Sequence, residues 1–355
     1  MISSPTTTVA IANPTTTVAV SEGLLEYLQL RFGIGDLKYR EAPSPINEGW
    51  ETFIYRFQLR GGHGLPGDLN RPLILRVYSS ISGLPRLQHE AEVQRHLYGR
   101  GYPVARPLLV EESDSLFGGP FMIMELLPGR TLLDELFKRF WRIAHAPVEM
   151  AEMQAQLHRM PVGGFPAPAG DFLDRQFRDM RDLIDEYDQD NLRAGLDWLE
   201  DHRPVPPSRT SILHLDFHPI NMLCRWRRCT GILDWSEADV GDRHADVAYS
   251  LVLMRSAPVQ IGKTLWQRFT SLPGRWLFWK YYLHAYRKRL PLDEQTLAYY
   301  VAWAALHRLS RRGMLFKTSP KVNGRKAAFL RYLRWERVDR IVQCFHETSG
   351  IKIKV

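Results

Sequence analysis

Cysteine is scarce in this chain: among 355 residues there are three, Cys224, Cys229 and Cys344. An odd, sparse set excludes a disulfide-stapled scaffold and suits a reducing compartment, so a cytoplasmic location is expected. Long apolar runs are missing as well. No stretch approaches the ~20 uninterrupted apolar residues that a membrane-spanning helix needs, which argues against an integral membrane protein. Acidic residues are in deficit, 39 Asp+Glu against 47 Lys+Arg, and the formal net charge is +8. The imbalance is local. Residues 171–201 hold eleven Asp/Glu and four Arg, whereas residues 241–355 hold twenty-two Lys/Arg and seven Asp/Glu. No zinc-finger spacing or RNA-binding signature accompanies the basic excess, so nucleic acid is not an expected partner. What is present, 45% hydrophobic and 24% charged residues, is the composition of a folded globular chain. Its length suggests about two domains.

The first twenty residues carry no charge and repeat PTTTVA at 5–10 and 14–19. Residues 1–20 therefore read as a disordered tail and not as a signal peptide. From Ser21, SEGLLEYLQLRFG reads as a capped amphipathic helix that stops near Gly33. ETFIYRFQLR (51–60) alternates Phe53, Tyr55, Phe57 and Leu59 on one face, and PLILRVY (72–78) follows as the partner strand of an antiparallel hairpin. A helix through Leu87, Ala91, Val93 and Leu97 comes next, then strands near 106–112 and 119–127. Beyond Pro128-Gly129 the pattern becomes helical, at 131–143, 147–159, 171–189 and 191–201. Short strands are expected at 212–219, 221–226 and 231–236, with RRCTG as the turn between the last two, and helices from 243 to 345. The fold class is α+β. Residues 21–127 form a small antiparallel β-sheet lobe with one key helix, and 128–355 a larger, mainly helical lobe.

The strongest chemical signal lies between His214 and Trp235, in HLDFHPIN and ILDW. Asp216, on a loop after a short strand, could accept the proton of a substrate hydroxyl. Asn221 offers a neutral oxygen five residues later. Asp234, across a hairpin, could bridge the same divalent cation, and hard oxygen ligands suit Mg²⁺. A base, an amide and a second carboxylate around one cation form a set for phosphoryl transfer.

These motifs resemble the H-x-D-x-x-x-x-N and I-D-W motifs of the aminoglycoside phosphotransferase/choline kinase family, whose members share the two-lobed protein-kinase-like fold. The resemblance covers roughly 40–250. GDRHADVAYSL (241–251) matches that family's G-D-x-x-x-D-x-A block, HEAEVQRHLYGRGYPVARPLLV its lobe helix and strand entry, FMIMELLPGRTL its hinge and AQLHRMP its L-H-x-x-P helix. The resemblance implies Asp216 as catalytic base, Asn221 and Asp234 as Mg²⁺ ligands, and ATP or GTP as phosphate donor in a cleft between lobes. It also implies that Arg76 occupies the place of the phosphate-contacting lysine, paired with Glu90, with Glu92 a competitor for that role. Arg in place of Lys departs from the pattern, since guanidinium grips phosphate through two N–H groups. NEGWET (47–52) resembles the loop that covers the nucleotide, with Gly49 admitting phosphate to the backbone. Glu125 and Leu127, at the hinge, would offer a backbone carbonyl and amide to a purine. His214 would organise the loop by hydrogen bonding, while His218 would either touch substrate or pack beneath the loop.

Two other readings stand beside a small-molecule kinase. One is a catalytically weak or inactive nucleotide-binding protein of the same fold, and Arg76 is the feature in its favour. The other is a metal-dependent hydrolase using HLDFH as a ligand set, with His244 and Asp246 as further candidates. For a kinase, the resemblance implies a small hydroxylated acceptor such as an aminoglycoside, a macrolide, a sugar or an amino alcohol. Acceptor residues are expected in 131–201 and in the helices after Asp242. Trp266, Trp276, Trp279, Tyr281, Tyr282 and Tyr286 either line a pocket or fill a core. The acidic 171–201 segment would draw a cationic acceptor or simply be a solvated helix face. The basic C-terminal helices favour a neutral or anionic one.

Overall fold

The computed structural model describes residues 17–48, 52–61, 64–78, 83–113, 116–257, 265–313 and 336–353. Gly49 and residues 1–16 of the tail expected over 1–20 lie outside the described residues, whereas residues 17–20 of that tail are helical. The chain divides into two compact units, Met1–Pro128 and Gly129–Val355.

In the first unit the order is α1 (Thr17–Phe32), β1 (Lys38–Glu48), β2 (Thr52–Arg60), β3 (Pro72–Tyr78), α2 (Leu84–Tyr98), β4 (Pro107–Glu111) and β5 (Phe121–Glu125). The strands form one antiparallel sheet in the order β1-β2-β3-β5-β4. Because side chains alternate along a strand, β3 feeds two separate clusters. Leu73, Leu75 and Val77 join Phe121, Ile123 and the α1 stripe Val20, Leu24 and Leu28. Ile74 and Tyr78 join Met122, Met124 and the α2 residues Leu87 and Ala91. Arg76 falls between Ile74 and Tyr78 in the alternation and so faces α2. α1 starts four residues before the expected Ser21 cap, because Val20 already belongs to its buried stripe. β1 was not anticipated: its KYREAPSPINE has no alternation and two prolines. It is an edge strand with register shifts, the place in a sheet where a missing N–H is tolerated.

The second unit contains β6 (Arg130–Thr131), α3 (Leu132–Lys138), α4 (Ala146–Arg159), α5 (Phe172–Glu186), α6 (Arg193–Asp201), β7 (Ser211–Leu213), β8 (Met222–Arg225), β9 (Arg228–Ile232), β10 (Asp239–Gly241), α7 (Arg243–Ser256), α8 (Leu265–Arg289), α9 (Glu294–Ser310) and α10 (Glu336–Ser349). β6, β8 and β9 make one small sheet, and β7 pairs with β10. α9 is the central helix: Tyr300, Ala302, Trp303, Ala305, Leu306 and Leu309 bury nearly its whole circumference. It packs against α5, α6, α7 and α10. Asp171, Asp242 and Asp293 cap α5, α7 and α9 by accepting N–H bonds from the first turn.

Gly129 opens this unit with φ +126°, and a Cβ there would lie 2.6 Å from the Cys224 carbonyl oxygen. Only glycine fits so close beside the Arg130–Cys224 strand pairing. Two expected boundaries move. The strand expected at 212–219 stops after Leu213, because Leu215 adopts the left-handed region at φ +59°. The turn expected at RRCTG is Trp226-Arg227 instead: Trp226 has φ +60° and Arg225 pairs with Arg228, so most of RRCTG is strand β9.

The acidic 171–201 segment is the outer face of α5 and α6. Phe172, Leu173, Phe177, Met180 and Ile184 point inward. Outward, Arg181 pairs with Glu200, Arg193 with Asp185 (2.5 Å) and Asp190 (2.7 Å), and Arg203 with Asp171 and Asp174. Of the α8 aromatics, Tyr282 and Tyr286 are buried core residues, while Trp276 and Tyr281 are exposed. The Trp266 side chain lies outside the described residues. Among the described residues, no helix is long and apolar enough to cross a membrane.

Candidate functional site

The loop from β7 to β8 is built around a neutral imidazole. His214 is fully buried. Its Nε2 lies 2.9 Å from the Leu233 carbonyl oxygen, and its Nδ1 accepts the Asp216 N–H at 3.1 Å. One nitrogen must donate and the other accept, which defines the uncharged tautomer. Burial holds the His214 pKa below its ordinary value against the pull of nearby carboxylates. With both nitrogens committed, His214 cannot ligate a metal, which removes the first ligand of the hydrolase reading.

A buried carboxylate holds the loop from the other side. Asp246 on α7 accepts the Leu215 N–H at 2.6 Å through Oδ1. Its Oδ2 accepts from Gln154 Nε2 and lies beside His158 Nε2, both at 3.0 Å and both on α4. His158 Nδ1 meets the Tyr286 hydroxyl of α8 at 2.5 Å. Burial raises the Asp246 pKa, but the His158 and Gln154 hydrogen bonds and the neighbouring imidazoles prevail and hold it low. The left-handed turn at Leu215 is thus fixed by a charge three helices help to place. Sequence reasoning singled out the block containing Asp246 but not this role. The local signal was an acidic residue on an otherwise apolar helix, where every neighbour from Ala245 to Met254 is buried.

Asp216 emerges from this frame with its carboxylate partly exposed, at 29%. Asn221 Nδ2 donates to its Oδ2 at 2.8 Å and to its backbone oxygen at 3.0 Å. His218 presents Nε2 3.4 Å from the same carboxylate oxygen, while its Nδ1 accepts the Ile220 N–H. His218 is therefore a direct neighbour of Asp216. Burial raises the Asp216 pKa, but His218, then His214 and Arg308, hold it below the usual range. It is a carboxylate at neutral pH.

The β8–β9 hairpin brings the other two residues together. Met222 pairs with Ile232, and Leu233 N–H donates to the Asn221 carbonyl at 2.8 Å. Leu233 is thus the residue opposite Asn221, and Asp234 follows it in the chain. Asp234 takes a left-handed φ of +63°, and Ser236 Oγ donates to its Oδ1 at 3.0 Å. Trp235, fully buried, packs 4.6 Å from the His214 ring. Because the Asn221 amide nitrogen serves Asp216, its carbonyl oxygen is left as a hard donor. An amide oxygen and a carboxylate are the donor types that a hard cation such as Mg²⁺ accepts.

In the first unit Arg76 and Glu90 meet at 2.5 Å, both buried. Tyr78 donates its hydroxyl to the second Glu90 oxygen at 2.7 Å, and the Arg76 guanidinium lies 5.5 Å from the Tyr78 ring centroid. Glu92, the competitor, is exposed on the opposite side of α2. Glu125 ends β5 with its carboxylate on Arg71 at 2.7 Å and its amide donating to the Arg106 carbonyl. Leu127 packs partly buried against the α2-side cluster.

A profile of the phosphotransferase enzyme family matches residues 44–279, more than half of the chain. Among curated proteins, acyl-CoA dehydrogenase family member 10 of Mus musculus is 26% identical over 195 residues, 51% of this chain but only 18% of that protein. The chain therefore spans about a fifth of that relative's length. Aminoglycoside 3'-phosphotransferase of Streptomyces fradiae is 29% identical over 220 residues, 57% of this chain and 76% of the other. Among solved structures, a Ralstonia eutropha JMP134 chain provisionally described as an aminoglycoside phosphotransferase superposes with a TM-score of 0.64 at 18% identity, covering 93% of this chain and 98% of the other. A thermostable mutant of APH(4)-Ia in complex with AMP-PNP and hygromycin B gives 0.57 at 19% identity, with 91% and 98% covered. At these identities the structural likeness is one of fold.

Proposed function

The chain belongs to the phosphotransferase enzyme family, and on that premise we propose that it transfers the γ-phosphoryl group of ATP or GTP to a hydroxyl of a small molecule. The observation that carries this reading is the state of Asp216: ionised, partly exposed and held on one oxygen by Asn221 at 2.8 Å. The other oxygen would receive an acceptor hydroxyl. In the step itself the acceptor oxygen forms a bond to the γ-phosphorus, and the bond from phosphorus to the β,γ-bridging oxygen breaks. Its electron pair leaves with the nucleoside diphosphate, and the hydroxyl proton passes to Asp216. Asn221 and Asp234 would hold Mg²⁺, which supplies neutralisation of phosphate charge when bound. In the first unit Arg76, kept in one orientation by Glu90, would contact the nucleotide phosphates. Gly49 would let its loop approach them. The Glu125 carbonyl and the Leu127 amide would contact the base.

The hygromycin B of the APH(4)-Ia complex and the aminoglycoside of the Streptomyces enzyme make a hydroxyl on a sugar-like ring the first acceptor class to examine. Turnover of ATP and GTP against a panel of aminoglycosides, macrolides, sugars and amino alcohols tests the proposal, with Asp216→Ala as the blank. Asp216→Asn should lower kcat by about 10²–10⁴-fold while nucleotide affinity stays unchanged. A full rate in Asp216→Asn would overturn the mechanism. Arg76 favours a second reading, a nucleotide-binding protein of weak activity. Nucleotide binding with turnover indifferent to Asp216→Ala would establish it.

A further inference from the structure

Arg308 and Arg311 stand at the C-terminal end of α9, and among the described residues only Arg311 of the two has a carboxylate partner. Arg311 is neutralised by Glu237 at 2.8 Å, three residues after Asp234. That contact sets this end of α9 against the Asp234 loop. Arg308, one turn earlier, lies over the ring of Tyr249, with its guanidinium carbon 5.9 Å from the centroid. Tyr249 is on α7, three residues after the Asp246 that holds Leu215. Arg308 thus lies on the side of α9 that faces the Asp216 loop, and its charge contributes to keeping the Asp216 carboxyl low.

Among the described residues Arg308 has no carboxylate partner, and its Nε is buried without a hydrogen bond. The adjoining stretch cannot supply one by composition, since residues 314–335 contain six Lys/Arg and no Asp/Glu. A guanidinium without a carboxylate partner keeps a charge and terminal N–H donors that an anionic ligand can engage. Of the α5 and α6 acids, Asp174, Asp185 and Glu200 are paired with Arg203, Arg193 and Arg181, and among the described residues none forms an ion pair with Arg308.

We propose that Arg308 binds the acceptor, and that the acceptor carries an anionic group, a carboxylate or a phosphate, near the hydroxyl that is phosphorylated. This deepens the kinase reading and rests on it. An anionic acceptor would be gripped by a charge-assisted hydrogen bond from the guanidinium, leaving its hydroxyl to Asp216.

The test uses the full chain in two arms. In the first, inorganic phosphate or acetate is titrated into protein saturated with Mg²⁺·ADP, so that the nucleotide's own contacts are filled. Binding is read by ³¹P line-broadening for phosphate and by ligand-detected ¹H NMR for acetate. At least one anion is expected to bind, with affinity reduced about tenfold or more in Arg308→Gln and largely kept in Arg308→Lys. Which anion binds distinguishes phosphate from carboxylate. In the second arm kcat and KM are measured for glycerate, glycerol 3-phosphate, glycerol and choline. An anionic acceptor should be preferred, and Arg308→Gln should raise its KM with little change in kcat. Equal anion affinity in wild type and Arg308→Gln, or preference for choline, overturns the proposal. If none of the four acceptors is turned over, the first arm decides. Turnover that depends on Asp216 but not on Arg308 would sink this inference and leave the kinase reading standing. Arg308-dependent anion binding with turnover indifferent to Asp216→Ala would do the reverse.

Discussion

His214 works only as a neutral ring, and that has a sign in pH. A proton on Nδ1 would turn the acceptor of the Asp216 N–H into a donor pointed at another donor. Burial lowers its pKa, and it lowers that of His307 further, with Arg311 and Arg308 adding to the effect. The unfolded chain, with histidines near their usual value of about 6.5, therefore binds protons that the folded chain refuses. The stability these two residues contribute is complete above about pH 6.5 and is lost as pH falls from there through their depressed folded values. The melting temperature should accordingly drop between neutral pH and about pH 5, and His214→Gln should remove part of that slope. A melting temperature flat over this interval would contradict the assignment.

At the scale of elements, the hairpin and the start of the second unit depend on backbone that only certain residues accept. Gly129→Ala would force a Cβ against the Cys224 carbonyl at φ +126°. A cost of about 1–3 kcal/mol is expected in urea denaturation, with β6 losing its pairing to β8. Much of the rest was legible in the chain. β2 and β3 follow from alternation, and Glu90 over Glu92 follows from helical spacing, since 87, 90, 91 and 94 share the buried stripe of α2. The unread parts have non-local causes. β1 owes its place to the edge of a sheet and not to its own pattern. The early end of β7 comes from Leu215, bent by a carboxylate thirty-one residues away. β9 looked like a turn because its exposed end is polar, while its pairing with β8 is what makes it a strand. The Asp216–Asn221 pairing was readable because its two members are close in sequence. Asp246 was not assigned its place because it comes from a helix that meets this loop only in the folded chain.

Across the whole molecule, the +8 charge is not one basic coat. Part of the acidic run is paired with arginines on a solvated face, and such exposed pairs contribute little to stability. The basic excess lies in the C-terminal part, where the α9 arginines border the Asp216 loop. One earlier feature also bears on how the molecule assembles. The Leu215 amide is bonded to Asp246 thirty-one residues away, and Asp246 is bonded to residues eighty-eight and ninety-two away on α4. The turn that presents Asp216 is therefore held only when α4 and α7 are both in place, and no helix fragment can hold it alone. In hydrogen exchange the Leu215 amide should open only with global unfolding, matching the slowest core amides of α9. Faster exchange there would show that the loop can loosen while the helices stay packed.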